Sequence, residues 1–282
     1  MNKSYQERLN IVLTYIENHL DENISLKQLA KIAYFSPYHF HRIFFGMMKE
    51  TLMSYVKRLK LQKAAKMLIN TNMSVTDIAF DLGYESLEVF IRSFKKSYGI
   101  SPLQYRKSSK NRSDLPQMKS KNKPKDFKMK VEIKKLPNMK VAYVRHIGPY
   151  MKCEKAWAKL MTWAHVEGLI NDQTVYIGIC HDDPEVTEAD KIRFDAAISP
   201  VKDSKAAGEV GIKEIKEDVC AMAVHKGPYE DLYKTYAYIC GKWAVEKNIE
   251  IRSVPSIEIY KNDPHNTPKE DLITEVYVPI IK

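Results

Sequence analysis

The sequence predicts two domains: an all-α N-terminal domain with two helix-turn-helix units, then an α+β C-terminal domain of duplicated strand-strand-helix-strand-strand units. Three observations carry this. The stretch SPYHFHRIFFGMMK from Ser36 returns about fifty residues later as SLEVFIRSFKKSYG from Ser86, sharing Ser36/Ser86, Phe40/Phe90, Arg42/Arg92 and Phe44/Phe94. His146-Ile147-Gly148-Pro149-Tyr150 returns as His225-Lys226-Gly227-Pro228-Tyr229. Charge divides the same way: residues 1–108 hold 16 Lys+Arg against 9 Asp+Glu, residues 109–130 hold 8 against 2, and residues 131–282 hold 21 against 24. A basic front and a weakly acidic back imply a polyanionic partner for the first domain and different work for the second.

In the N-terminal half, Tyr5–His19 reads as a helix with Leu9, Val12, Leu13 and Ile16 on one side. Ser25 caps a short helix carrying Leu26, Leu29, Ala30 and Ala33, and Tyr34-Phe35 turns the chain. Ser36 then caps the next helix, with Pro37 at its first position. Phe40, Ile43, Phe44 and Met47 follow the i, i+3, i+4, i+7 spacing of one apolar stripe, which predicts Tyr38, His39, His41, Arg42 and Lys49 on the outer faces. His39 and His41 lie ~200° apart on a helix and cannot share a metal. A longer helix over 51–70 follows, with Leu52, Val56, Leu59, Ala64 and Leu68 inward. Val75–Leu82, a turn at Gly83 and a helix opened by Ser86 complete the second unit. The connecting helix spans ~27 Å, of the order of the ~34 Å between successive major-groove faces, so one chain can address two adjacent grooves.

Ile78-Ala79, Gly83-Tyr84, Phe90, Arg92, Phe94-Lys95-Lys96, Gly99, Ser101-Pro102 and Tyr105-Arg106 together resemble the DNA-binding domain of the AraC/XylS family of bacterial transcription regulators. The resemblance implies that the outer faces of the two reader helices meet DNA: Tyr38, His39, His41 and Arg42 from the first, Leu87, Glu88, Arg92 and Lys96 from the second. Arg42 and Arg92 can each present two donors to guanine or bind phosphate. Lys49 stands where the first repeat of the family often has glycine, and Leu87, Val89 and Ile91 replace side chains that are commonly polar. The second unit is therefore expected to act mainly as a phosphate clamp.

Residues 109–128 are lysine-rich, carry Pro116 and Pro124 and lack apolar periodicity, and so read as a basic flexible linker that adds salt-dependent affinity for DNA. Cys153, Cys180, Cys220 and Cys240 have no metal-like spacing and read as buried thiols in a reducing compartment. With no apolar signal core and no ~20-residue apolar run, the expectation is a cytoplasmic protein with no membrane contact, metal or cofactor.

In the C-terminal half, alternating strands precede each G-P-Y turn, an aromatic-rich helix follows it, and two strands close each half at Val175–Cys180 with Ile192–Ile198 and at Ile257–Tyr260 with Ile273–Ile280. Each half is expected to form its own antiparallel sheet with a helix on one face. In the last strand Thr274, Val276, Val278 and Ile280 point one way, while Glu275 and Tyr277 point the other. Should the two sheets meet about a pseudo-twofold axis, Asp195 and Glu275 would approach a common groove. The G-P-Y turns and the terminal T-E-V-Y-V-P-I resemble the GyrI-like small-molecule-binding domain over residues 129–282, a domain found behind AraC-type DNA-binding domains. That resemblance implies Glu275 in an aromatic pocket for a hydrophobic, often cationic ligand, with Tyr277, Tyr143, Trp163, Tyr176, Phe194, Tyr229 and Tyr260 as candidate walls. The expected partners are promoter DNA and such a ligand, with RNA polymerase admitted as a third. Two other classes compete: a GyrI-like hydrolase using Glu275 and a tyrosine, and a C-terminal domain that docks a protein. No G-x-S-x-G, Cys-His or Ser-His pairing supports catalysis, so a non-enzyme is expected.

Overall fold

The computed structural model describes residues 5–108, 116–118, 129–184, 186–201 and 204–281. Apart from 116–118, the expected linker lies outside the described residues. Two compact units emerge. The first holds α1 (Tyr5–Asn18), α2 (Leu26–Ile32), α4 (Leu52–Asn70), α5 (Val75–Asp81), α6 (Leu87–Tyr98) and α7 (Pro102–Ser108). The intervening helix α3 (Pro37–Met48) groups through residues 35–47 with the C-terminal half. This differs from the expected grouping of residues 1–108.

Within the first unit, hydroxyl side chains start the helices. Ser25, Thr51, Ser74 and Ser86 accept hydrogen bonds from the backbone N–H of Gln28, Ser54, Asp77 and Val89. Leu61, Leu68, Ile78, Leu82, Phe90 and Phe94 form the core around α4–α6. The turn at Gly83 has φ +67°, and a β-carbon there would stand 2.5 Å from the Asp21 carbonyl oxygen. Tyr34, at the matching position of the first repeat, also has positive φ, 56°. Lys49 and Gly99 repeat the pairing at the ends of α3 and α6, with φ 58° and 86°. The left-handed turns recur although glycine fills only the second copy.

The second unit is built on an antiparallel curled sheet. Its strands are β1 (Val131–Leu136), β2 (Met139–Ile147), β3 (Val175–Cys180), β4 (Arg193–Ser199), β5 (Gly211–Ile215), β6 (Asp218–Lys226), β7 (Glu250–Ile251), β8 (Ser256–Tyr260) and β9 (Ile273–Ile281). The order is β1-β6-β9-β8-β3-β4-β2-β5, with β7 on β9. The halves thus share one sheet, joined by β3–β8, and each exchanges its first strand: β1 pairs with β6, and β5 with β2. Chain geometry explains the exchange. A two-residue hairpin needs positive φ in its link, which Pro137 cannot adopt and which Asn138, Lys216 and Glu217 do not adopt. Both links turn corners instead, and the Glu217 N–H donates to Asn138 Oδ1 at 2.6 Å, tying one corner to the other.

Helix α8 (Glu154–Val166) packs Ala156, Leu160 and Ala164 on Ala142, Val144, Ala196 and Ile198. Helix α9 (Leu232–Tyr238) continues through a π-helical turn, Ile239–Trp243, into α10 (Ala244–Lys247), and packs Leu232, Tyr236, Ile239 and Ala244 on Ala221, Ala223, Val276 and Val278. Cross-strand neighbours share a face, so both helices cover the same side of the sheet. Ile177, Ile179, Ala197, Met222, Ile257 and Tyr277 pack on the reverse side.

Candidate functional site

The β3–β8 seam places Tyr176 opposite Tyr260, Gly178 opposite Glu258 and Cys180 opposite Ser256 on the helix-covered face. Glu258 is 5% exposed. Its two carboxylate oxygens accept from Tyr236 Oη at 2.8 Å and from Tyr260 Oη at 2.7 Å. Gly178 makes the second bond geometrically available, since a β-carbon there would lie 2.4 Å from Tyr260 Oη and 2.8 Å from the Phe194 ring. Around the carboxylate, Tyr260 meets Trp157 at 5.8 Å and Tyr229 at 5.4 Å, and Phe194 meets Tyr150 at 5.7 Å, between ring centroids. Tyr176 approaches Trp157 at 6.5 Å. Burial raises the Tyr236 and Tyr260 phenols well above their ordinary range, reinforced by the charge of Glu258. Burial and the same carboxylate raise the Cys180 thiol. These groups stay neutral donors at physiological pH around the buried Glu258 carboxyl group.

Helix α3 lies against this region rather than presenting its polar face to solvent. Arg42 is 8% exposed, and its guanidinium sits 4.1 Å from the Tyr38 ring centroid and 3.9 Å from that of Tyr236. Asp183 Oδ2 lies 3.4 Å from Arg42 Nε and 3.5 Å from His41 Nδ1. Tyr38 Oη approaches Ser256 Oγ at 3.5 Å. His39 is also buried, and burial followed by the Arg42 charge lowers its imidazole to about 4. The expected outward placement of Tyr38, His39, His41 and Arg42 is therefore corrected: ring faces and a carboxylate supply partners that let the helix bury its polar side as well as Phe40, Ile43 and Phe44.

In α6 the expected residues divide differently. Glu88, Arg92 and Lys96 are exposed along one face, whereas Leu87 packs against the core of the first unit. Of the proposed ligand walls, Tyr176, Phe194, Tyr229 and Tyr260 gather near Glu258. Trp163 packs beside the α8 core. Tyr143, Glu275 and Tyr277 lie on the reverse face. There Tyr277 Oη donates to Glu275 Oε2 at 3.1 Å, and Lys261 Nζ stands 3.8 Å from Oε1.

Asp195 and Glu275 do not share a groove, because β3 and β8 with their isoleucines intervene. Asp195 has its own partners: the cations Arg145, through Nε at 2.6 Å, and Lys213, through Nζ, and the ring nitrogen His181 Nε2 at 2.8 Å. Glu258 escaped the sequence reading. Its signal is the SIEIY alternation, which puts Ser256, Glu258 and Tyr260 on the side opposite Ile257 and Ile259.

Comparison with known proteins assigns a family to each half of the chain. Residues 129–281 match the GyrI-like small molecule binding domain family, and residues 29–108 match a helix-turn-helix domain family. Escherichia coli regulatory protein SoxS (strain K12) is 31% identical over 103 residues, 36% of this chain and 96% of SoxS. The chain is an AraC/XylS-family protein with a GyrI-like C-terminal domain. Similarity to AdaA of Bacillus subtilis, a bifunctional transcriptional activator/DNA repair enzyme, is 36% over 104 residues, 37% of this chain and 49% of AdaA. The transcriptional regulator Rob of Salmonella typhimurium is 34% identical over 98 residues, 35% of this chain and 34% of Rob. The chain thus spans about half the length of AdaA and about a third of Rob. A helix-turn-helix region followed by a GyrI-like domain is a Rob-like arrangement. Among the described residues no helix is long and apolar enough to cross a membrane.

Proposed function

We propose that this AraC/XylS-family chain is a cytoplasmic, DNA-binding transcription regulator whose GyrI-like domain takes a small hydrophobic cation at Glu258. Residues 1–108 act as the DNA-binding domain, 109–128 as its basic linker and 129–282 as the effector domain, two strand-strand-helix-strand-strand copies merged into one sheet. Promoter DNA and the cation are the partners; RNA polymerase is a third. The exposed Glu88, Arg92 and Lys96 face of α6 supports contact with the duplex. The observation that carries the effector reading is the buried Glu258 carboxylate, held by two phenols among Trp157, Phe194, Tyr229 and Tyr260. A cation entering those rings gains both their faces and the missing countercharge.

The test is calorimetric titration of the full chain with 2-naphthamidine and its neutral isostere 2-naphthamide. Glu258→Gln is expected to weaken the amidine by about tenfold or more, ~1.4 kcal/mol, and the amide by far less. Equal weakening of both would remove the charge from the reading.

A further inference from the structure

Four side chains that an α3 reader would offer to DNA, Tyr38, His39, His41 and Arg42, are instead held within the GyrI-like unit. The anchoring is specific at two points. At one, the Arg42 guanidinium is sandwiched between Tyr38 and Tyr236, with Asp183 beside it. Tyr236 in turn donates to Glu258, so guanidinium, ring, hydroxyl and buried carboxylate form one chain. At the other, the backbones of two helices touch. A β-carbon on Gly46 would stand 2.2 Å from Gly241 Cα, and one on Gly241 would stand 2.2 Å from Gly46 Cα. Glycine is unfavourable within a helix, and two facing glycines are what such an approach requires. Gly241 lies in the π-helical turn, a deformation frequent at functional sites. Ser253 Oγ also donates to Ser36 Oγ at 3.1 Å, at the start of α3.

The docked arrangement is incompletely satisfied. His39 Nε2, His41 Nδ1 and Arg42 Nη1 are buried without hydrogen-bond partners among the described residues. Such groups oppose burial and gain partners when the helix leaves. These unsatisfied atoms weigh against docking and favour release of the helix.

We propose that α3 is an internal ligand of the GyrI-like unit: Arg42 occupies the cation-binding ring face of Tyr236, and a planar aromatic cation that takes that face releases α3 for DNA. This rests on the reading of the ring-lined Glu258 carboxylate as an effector site. It also narrows the effector to a cation able to stack as a guanidinium does. A ligand that binds only the released state shifts the population towards it, and by linkage DNA tightens the cation equally.

The test uses the full chain and hydrogen exchange of amides within 37–48, with β3 and β8 amides as the control for an intact fold. Gly241→Ala closes the backbone crossing without touching any DNA-facing side chain. It is expected to accelerate α3 exchange and to tighten binding to a mixed-sequence duplex by a common factor in the 5- to 150-fold range of such couplings. In the unaltered chain, 2-naphthamidine is expected to accelerate α3 exchange as well. Should Gly241→Ala disturb the β3 and β8 control, Asp183→Asn provides the same reading by removing the Arg42 partner. Unchanged α3 exchange in the folded variant, or weaker duplex binding, overturns the proposal. Amidine binding with no change at α3 overturns it while leaving the effector reading intact. Release by Gly241→Ala with no amidine binding upholds α3 docking and overturns the cation's part in both readings.

Discussion

Acid titration of His39 gives a quantitative handle on the burial of α3. Its imidazole is lowered from 6.5 to about 4, first by burial and then by the charge of Arg42. Between those two values the unfolded chain binds more protons than the folded one, so stability rises with pH and is lost on acidification. At pH 7 both states are largely neutral and the linked loss is small. At pH 5 the unfolded ring is almost wholly protonated and the folded ring about one-tenth so, which gives a loss of ~2 kcal/mol, growing to ~3 kcal/mol by pH 4. The assay is urea unfolding at pH 7 and pH 5 followed by tryptophan fluorescence, which reports on the second unit because Trp157, Trp163 and Trp243 all lie there. His39→Gln is expected to lose ~2 kcal/mol less than the unaltered chain over that interval. NMR titration of the ring provides an independent reading. A His39 titration near 6.5, or equal losses in the two proteins, would refute the burial argument.

Lys49→Gly relieves a left-handed residue at the end of α3 and is expected to raise stability by ~0.5–1 kcal/mol, the left-handed strain less the extra unfolded-state entropy of glycine; a lower urea midpoint by circular dichroism would contradict it. Asp195 is fully buried, and hydrogen bonds from Arg145, His181 and Lys213 outweigh that burial to hold its carboxyl below the usual range. Asp195→Asn should therefore cost ~3 kcal/mol at pH 7, and the difference from the unaltered chain should shrink as pH falls below the ordinary carboxylate value; a pH-independent difference would deny the ionic role. Arg92→Ala is expected to weaken binding about equally on all duplexes and to reduce its salt dependence, as for a phosphate contact, whereas a loss of ~1–3 kcal/mol confined to a selected site with relaxed base preference would make Arg92 a base reader and contradict the clamp.

Helix starts were partly legible because each depends on one hydroxyl and a few neighbouring residues: Ser25, Ser36 and Ser86 cap as their positions suggest, while Thr51 and Ser74, which the pattern did not single out, cap two further helices. The strands were legible from alternation, down to the two faces of β9. Strand pairing was not, because alternation fixes which side chains share a face but not which strand lies alongside. The corners after Leu136 and Ile215 sent β1 and β5 to the other half, and the seam at β3–β8 moved the buried carboxylate to Glu258. The buried polar side of α3 was hidden for a related reason. Tyr38, His39, His41 and Arg42 look solvated in one dimension, and only residues some 140–200 positions onward, Asp183 and Tyr236 among them, supply their partners. Lys49 illustrates the converse: its side chain suggested a departure from the repeat, yet its backbone keeps the same left-handed turn as Gly99.

The exchange of β1 and β5 changes what joins the two halves of the sheet. Three ladders cross between them, β1–β6, β3–β8 and β2–β5, while the polypeptide crosses once, through the segment before β5. Severing that segment at Gly208 would leave two fragments, each with sheet edges that only the other completes. Peptide continuity is thus secondary to strand complementarity in this domain. Because one of those ladders carries Tyr176, Cys180, Ser256, Glu258 and Tyr260, a molecule seated on it would act as a clasp between the fragments, and its binding could be read out as their reassembly.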